Sequence, residues 1–259
     1  MISDIKEIYS YRSMLWSLIQ SELKTRYKGS FLGFLWTFIN PLLMLLVYDF
    51  IFSIVMRANI PHYSTFMFIG LLSWNLFATA VLASTSVIIS KSSFVNKIYF
   101  PRAILPLSVV GGSTINYLFS LIILVPFLLI SGYWPSWVWL YFPLILIFEI
   151  VLASGFSLLF SALNVFARDI EHMLNVFIML WLYLTPVLYP LSFLHSHAIQ
   201  LLFKLNPMTT YILSFQDIFY YHTPPHWKLL IFGFILTIAI FIVGWRVFHK
   251  LSRKFAEEV

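Results

Sequence analysis

The sequence predicts an all-α membrane protein with six transmembrane helices, an N-terminal amphipathic interfacial helix, and an external re-entrant helical pair between helices 5 and 6. Two observations predict this class. The 259 residues are 61% hydrophobic and only 10% charged, whereas soluble domains average roughly 45–50% apolar and about 25% charged residues. Six segments also approach the roughly 20 apolar residues that a helix needs to cross a bilayer.

The six predicted spans are separated by short polar or proline-bounded segments. In chain order they are Phe34–Val55, Phe66–Ile89, Leu107–Ile130, Val138–Phe166, Leu174–Tyr189 and Leu229–Phe248. The fourth is long enough to tilt or to extend past the bilayer. The fifth is short and closes in "TPVLYP", whose two prolines stop or kink a helix. No internal repeat relates the two halves, which argues against an inverted-repeat carrier.

The N-terminal segment, residues 1–30, is predicted to be a cytoplasmic interface helix, and residues 31–259 form the six-helix domain. Within residues 3–28, apolar side chains recur at helical spacing and share one face: Ile8, Tyr11, Leu15, Leu18, Ile19 and Leu23. Such a face suits a helix in the headgroup plane. The segment has no uninterrupted apolar core and no small-residue cleavage site, so we do not expect a signal peptide.

The distribution of cations predicts the topology. Thirteen of the sixteen Lys and Arg residues fall on the side of the two termini, and the opposite side receives only Arg57, Lys204 and Lys228. By the positive-inside rule, both termini are cytoplasmic. The net charge of +6 is therefore a topology signal, and no nucleic-acid partner is expected.

Residues 191–227 are too long and too apolar for an ordinary loop. "SFLHSHAIQLLFKL" and "TTYILSFQDIFYY" read as two short helices separated by Asn206-Pro207. Irregular backbone is tolerated at membrane depth only against protein or a wet cavity. We therefore predict a re-entrant pair that enters from outside; two helices resting on the outer surface are the alternative.

The loops leave little room for chemistry. No soluble segment is large enough to form a catalytic domain, and no G-x-x-x-x-G-K-[ST] sequence is present, so no nucleotide site is expected in this chain. There is no cysteine, and the seven histidines form no metal-binding pattern. We therefore predict a non-enzymatic chain that holds no cofactor or metal of its own.

Two kinds of residue inside the predicted spans are candidates for function. Asp49 and Glu149 are intramembrane carboxylates, which serve either a proton-coupled carrier or simple hydrogen bonding to a neighbouring side chain. Aromatic residues that lie deep, or on helices expected to face a partner, are candidates to line a sugar-conducting path; an aromatic lipid face is the alternative. They are Trp36, Tyr48, Trp74, Phe177, Trp181, Tyr183 and Tyr189.

The run "SELKTRYKGSFLGFLWTFINPLLML", Ser21–Leu45, resembles the N-terminal signature of type-2 ATP-binding-cassette export permeases, especially those that move lipid-linked polysaccharides. Four later motifs agree in order: "NKIYFPRAILP", "NVFARDIEHML", "LTPVLYP" and "LNPMTTYI". The resemblance covers nearly the whole chain. It implies a homodimer that pairs with two copies of a separate P-loop ATPase, which binds the ATP and Mg.

By this resemblance, the basic, proline-bounded residues 90–106 form a cytoplasmic coupling segment that docks into the ATPase; a plain positively charged loop is the alternative. Its two prolines stiffen the backbone. The residues expected to make this contact are Phe94, Lys97, Tyr99, Phe100, Pro101 and Arg102. A second, smaller contact is expected at Arg168, Asp169 and Glu171. The N-terminal helix is expected to pack against the ATPase as well.

The resemblance also places the turn after the N-terminal helix beside a cytoplasmic entrance for a pyrophosphate head group. The candidate residues are Arg26, Lys28, Ser30, Leu32 and Gly33; ordinary phospholipid anchoring is the alternative for the two cations. The implied function is export of undecaprenyl-pyrophosphate-linked polysaccharide, such as O-antigen, across the bacterial inner membrane. Residues 191–227 would be the external gate. Teichoic acid, capsule, a drug or a small lipid remain alternative cargoes, and a proton-coupled carrier or a polyprenyl-linked sugar ligase are alternative classes.

Overall fold

A computed structural model describes residues 2–26, 29–51, 62–92, 99–193 and 196–258. All regular secondary structure in these ranges is helical, so the predicted all-α class is confirmed. The helices are α1 Ile2–Ser10, α2 Arg12–Arg26, α3 Trp36–Asp49, α4 Tyr63–Thr85, α5 Val87–Ser90, α6 Ile104–Ile130, α7 Phe142–Phe166, α8 Asp169–Tyr183, α9 His197–Leu205, α10 Pro207–Gln216, α11 Trp227–Ser252 and α12 Phe255–Glu258.

Within the part of the chain that the structure describes, four helical segments are long and apolar enough to cross a bilayer. They are Tyr63–Thr85, Ile104–Ile130, Trp137–Phe166 and Trp227–Ser252, which correspond to predicted spans two, three, four and six. The helices at predicted spans one and five, α3 and α8, have only 14 and 15 residues. Because a direct crossing needs roughly 20 residues, the count of six spans stays a prediction.

Helix α4 lies at the centre of the molecule and carries no Asp, Glu, Lys or Arg. In its most apolar stretch 78% of the residues are buried, against 22% for α11. It contacts α6, α7, α8 and α10, and Phe66, Phe68 and Phe77 on it are fully buried. A helix without charged residues whose surface is mostly buried lies inside a bundle, and α4 therefore positions the helices around it.

Helices α7 and α11 cross at two glycines. A Cβ atom added to Gly155 would lie 2.9 Å from the Cα of Phe241, and one added to Gly244 would overlap the carbonyl oxygen of Gly155. Small residues let membrane helices approach backbone to backbone. The crossing therefore depends on the missing side chains at these two positions.

The N-terminal helices pack on the bundle through the apolar face that the sequence predicts. Ile19 is buried beside Gly111 of α6. Ile8, Leu15 and Leu18 lie against a second apolar cluster formed by the ends of α5, α6, α7 and α11. The apolar face is thus covered by protein. Two predictions stay untested: that residues 1–30 lie at the membrane interface, and that they form a separate unit.

Helices α9 and α10 meet at Asn206-Pro207, where the sequence predicts the break. The Asn206 side chain caps α10 by accepting a hydrogen bond from Met208 N–H at 3.0 Å, and it donates to Thr185 Oγ1 at 2.8 Å. Most of α10 is buried, whereas α9 exposes several leucines. A π-helical turn, Asp217–Tyr221, follows α10. The re-entrant path of this pair through the bilayer stays a prediction.

Candidate functional site

A polar groove of about 690 Å³ lies between α3, α4 and α6. Its walls carry hydroxyl and amide side chains in helices that are otherwise apolar. These polar residues are Ser30, Thr37, Asn40, Asn75, Thr79, Ser113, Asn116, Tyr117 and Ser120. No described residue that lines the groove is charged. We refer to it as the polar groove.

The groove residues recur at helical spacing. Ser113, Asn116 and Ser120 follow one another at intervals of three and four on α6, and Asn75 and Thr79 are four apart on α4. Residues with this spacing share one face of a helix. This polar stripe is not among the predicted site residues, which are charged or aromatic or lie in the N-terminal turn or the coupling segment; the spacing of its hydroxyl and amide side chains is the signal in the sequence that indicates it.

The chemistry of the groove suits a ligand with many hydroxyl groups. Among the described residues the Asn75 amide donates to the sulfur of Met44, at 3.8 Å, and a thioether is a weak acceptor. Thr79 Oγ1 donates to the Asn75 carbonyl at 2.6 Å, which leaves its lone pairs available. Trp36 adds an aromatic ring to the wall. Neutral donors and acceptors beside an aromatic ring bind sugars and provide no counter-charge for an ion.

The predicted entrance lies at one end of this groove. Ser30 and Trp36 both line it, and Trp36 Nε1 donates to Ser30 Oγ at 2.8 Å. Gly33 follows Leu32 with a φ of +49°, a left-handed conformation that glycine adopts without strain. Arg26 is the last residue of α2, with its side chain outside the described atoms, and Lys28 lies outside the described residues. Of the predicted entrance residues that the structure describes, Ser30 lines the groove, whereas Leu32 and Gly33 do not.

The aromatic path candidates fall into two groups. Trp74 is buried, and its ring meets Trp181 at 6.2 Å; Trp181 in turn contacts Phe177 at 5.2 Å. These three rings join α4 to α8 and lie outside the polar groove. Tyr183 is 57% exposed, and its carbonyl accepts a hydrogen bond from the Tyr189 hydroxyl at 2.6 Å. The side chain of Tyr48 is not among the described atoms. Of the six candidates whose side chains are described, Trp36 is the one that lines the groove.

The coupling segment is held at both of its described ends by the N-terminal helices. Lys91, near its N-terminal end, forms an ion pair with Glu22 of α2. Tyr99 donates to a carboxylate oxygen of Glu7 at 3.3 Å, and this carboxylate raises the pKa of Tyr99. Phe94 and Lys97 lie outside the described residues. Motion of this segment is therefore tied to α1 and α2.

The aromatic residues of the coupling segment point in opposite directions. Tyr99 is 82% exposed, whereas Phe100 is 4% exposed and packs inside the second apolar cluster. Arg102 is half-buried; it donates to the carbonyl of Ser252 and lies 5.9 Å from the Phe255 ring. Pro101 directly precedes the turn into α6. Tyr99 is thus the described aromatic side chain of this segment whose ring is exposed, whereas Phe100 is packed against the bundle.

The second predicted contact is a short exposed turn between α7 and α8. Arg168 and Asp169 are exposed. The side chain of Asn164 accepts from Glu171 N–H at 3.2 Å and donates to the Thr85 carbonyl at 3.1 Å. The fully buried Asn164 therefore fixes this turn to the end of α4, a role that the sequence analysis missed.

The two intramembrane carboxylates each accept from a serine of α4. Ser64 Oγ donates to Asp49 at 2.7 Å, and Ser73 Oγ donates to Glu149 at 2.8 Å. Glu149 is fully buried, and its second oxygen, Oε2, has no hydrogen-bond partner among the described residues. Hydrogen bonding to a neighbouring side chain, one of the two predicted alternatives, is what the structure contains.

Comparison with known proteins agrees with this architecture. A family model described as "ABC-2 type transporter" matches residues 13–220, which include the polar groove and the coupling segment. The chain belongs to the ABC-2 type transporter family. The sequence-based resemblance to type-2 ATP-binding-cassette export permeases is therefore confirmed.

Relatives of this ABC-2 type transporter match over nearly its whole length. The O-antigen export system permease protein RfbA of Myxococcus xanthus is 38% identical over 260 residues, covering 100% of both chains. Two proteins of the same name from Klebsiella pneumoniae are 38% and 37% identical, each covering 93% of this chain and 92% of their own. The likeness therefore extends over the groove, residues 90–106 and helices α9 and α10 together.

Proposed function

We propose that this ABC-2 type transporter chain is the permease subunit of an ATP-driven exporter that moves an undecaprenyl-pyrophosphate-linked polysaccharide, such as O-antigen, across the bacterial inner membrane. The full-length likeness to O-antigen export permeases supports this cargo. The sequence contains no P-loop motif, so a separate ABC ATPase supplies the energy.

The observation that carries the proposal is the uncharged polar groove. A bilayer-embedded protein is destabilised when amide and hydroxyl groups lie in hydrocarbon without hydrogen-bond partners. Helices α4 and α6 nevertheless align five such side chains on their facing sides: Asn75, Thr79, Ser113, Asn116 and Ser120. A hydroxyl-rich chain passing through the groove can form hydrogen bonds with these hydroxyl and amide groups, including the buried Ser113 Oγ, which has no hydrogen-bond partner among the described residues.

A homodimer completes the path. The groove is bounded by α3, α4 and α6 of a single chain, and α3 and α8 expose large apolar side chains. A second copy that covers these faces turns two grooves into one conduit. In this arrangement all six predicted segments cross the bilayer with both termini in the cytoplasm, and exposed Phe177 and Tyr183 of α8 complete the aromatic lining.

The ATPase acts through the coupling segment. This segment leads directly into α6, one wall of the groove, and it follows α5 at the end of α4, a second wall. Two ATPase copies that close on ATP push on Tyr99 and on the turn at Arg168 and Asp169. The push re-angles α4 and α6 and moves the cargo by one step.

The two ends of the groove have separate roles. Cations at Arg26 and Lys28 attract the pyrophosphate head, and the turn at Ser30 and Gly33 guides the first sugars toward Trp36. At the far side, α9 and α10 form a re-entrant gate that keeps the conduit closed at rest. Weak stacking and single hydrogen bonds along the wall let each sugar leave its site again.

Cysteine cross-linking tests the docking of the ATPase. The chain has no cysteine, so Tyr99→Cys introduces a single thiol at an exposed position. We expect it to cross-link to an ABC ATPase subunit that is expressed with it. Trp134→Cys is the matched control: it is also exposed but lies in the loop predicted to be external. Cross-linking at Trp134 with none at Tyr99 would refute the proposed orientation.

A further inference from the structure

A second pocket, of about 570 Å³, lies where α9, α10 and the start of α11 meet. It shares no lining residue with the polar groove. Two lysines on different helices line it: Lys204 in the last turn of α9 and Lys228 in the first turn of α11. We call it the two-lysine pocket.

The pocket has an excess of positive charge. Neither lysine forms an ion pair with any described residue. The carboxylate in the pocket, Asp217, is 8% exposed and is already engaged by His226 Nδ1 at 3.0 Å. Lys228 also lies at the N-terminus of a 26-residue helix, where the helix dipole disfavours a cation. An anion bound here would neutralise the excess positive charge and would also interact favourably with the N-terminus of α11.

The remaining walls of the pocket are apolar. They include Leu201, Leu205, Leu213 and Phe232, and Leu201 and Leu205 are more than half exposed. An inorganic anion alone would leave these leucines in water. A ligand that carries both a negative head and a hydrocarbon chain covers the lysines and the leucines at once.

The position of the lysines along the chain supports the same ligand. The side of the protein predicted to be external receives three of the sixteen Lys and Arg residues, and two of these, Lys204 and Lys228, converge on this pocket. Cations are scarce on that side of membrane proteins, so two that meet at one pocket have a specific reason to be there.

We infer that the two-lysine pocket binds a lipid-borne phosphate, with the phosphate between Lys204 and Lys228 and the hydrocarbon chain along the leucines of α9. The phosphate belongs either to an anionic phospholipid of the outer leaflet or to the polyprenyl phosphate carrier. The leaflet follows from the proposed topology, whereas the binding itself does not depend on it. A lipid held here contacts α9 and α11 together and so steadies the proposed gate.

Lipid titration followed by native mass spectrometry tests this site on the purified full-length chain in detergent. We expect phosphatidylglycerol to bind more tightly than phosphatidylcholine. A cation beside an anionic lipid contributes about fivefold in affinity, so Lys204→Gln with Lys228→Gln should weaken phosphatidylglycerol binding about 25-fold. Lys204→Arg with Lys228→Arg should retain it.

A control pair removes the same charge elsewhere. Lys250→Gln with Lys254→Gln, at exposed positions near the C-terminus, should leave tight phosphatidylglycerol binding unchanged. Undecaprenyl phosphate identifies the source: binding tighter than phosphatidylglycerol assigns the pocket to the carrier, and equal binding assigns it to anionic lipids in general. Equal binding of phosphatidylglycerol and phosphatidylcholine, or an unchanged affinity in a Lys204→Gln, Lys228→Gln variant with wild-type thermal stability, would overturn the inference.

Discussion

The polar groove can be tested by making one of its walls apolar while preserving its shape. Asn75→Leu and Thr79→Val remove an amide and a hydroxyl from adjacent turns of α4 at nearly constant volume. Among the described residues Asn75 donates to a sulfur at 3.8 Å, and Thr79 bonds within its own helix. The fold therefore loses little when both are replaced, and we expect the melting temperature to change by no more than a few degrees.

The affinity for the cargo should fall considerably more than the stability of the fold. Each hydrogen bond to a sugar hydroxyl contributes about 1 kcal/mol net, which is roughly a fivefold change in affinity per residue. The double variant should raise the half-saturating concentration of cargo about 25-fold. The assay is ATP hydrolysis by the complex with its ABC ATPase, stimulated by a lipid-linked oligosaccharide over a range of concentrations.

A matched control makes the same chemical change outside the groove. Asn175→Leu on α8 removes an exposed amide whose described bond is to the carbonyl of Glu171, and it should leave the half-saturating concentration unchanged. If the α4 double variant matched the wild type while its basal ATP turnover stayed intact, the groove would not contact the cargo.

Three further outcomes follow from the packing. Glu22→Lys or Lys91→Glu alone should lower the free energy of unfolding by about 1 kcal/mol and should also reduce ATP-driven export. The double swap should restore both properties. If the two stability losses were instead additive in thermal melts, a direct ion pair would be excluded. Gly244→Val should destabilise the chain by about 3 kcal/mol because the new Cβ would overlap the Gly155 backbone. Gly111→Ala should destabilise it by only about 1 kcal/mol because the new Cβ would meet the flexible Ile19 side chain. Equal melting temperatures of the two variants would contradict the close crossing of α7 and α11. Glu149→Gln should retain export because Ser73 can still donate to the amide oxygen; a folded variant that loses export would favour a proton-coupled carrier.

Hydropathy and helix-breaking residues predicted the all-α class, whereas the six spans and the re-entrant pair stay predictions. The long uncharged run of α4, the break at Asn206-Pro207 and the apolar face around Ile19 are each visible in the sequence, because hydropathy and backbone geometry at these positions are local properties.

Whether an individual side chain is buried or exposed could not be predicted in the same way. Phe100 and Tyr99 are neighbours of similar size, yet one is buried under α11 and α12 and the other is exposed. Trp74 is apolar enough for either a core or a lipid face, and only its contact with Trp181 places it. The choice depends on which helix lies opposite, and that helix is distant in the chain.

The central claim is that this chain is a passive conduit driven by a separate ATPase, and reconstituted transport tests it most directly. The chain is placed in liposomes with a lipid-linked oligosaccharide, with or without its ABC ATPase and ATP, and transfer across the bilayer is measured. We predict transfer only when ATPase and ATP are both present, and no effect of collapsing the proton gradient. Equal transfer by the chain alone would contradict the claim.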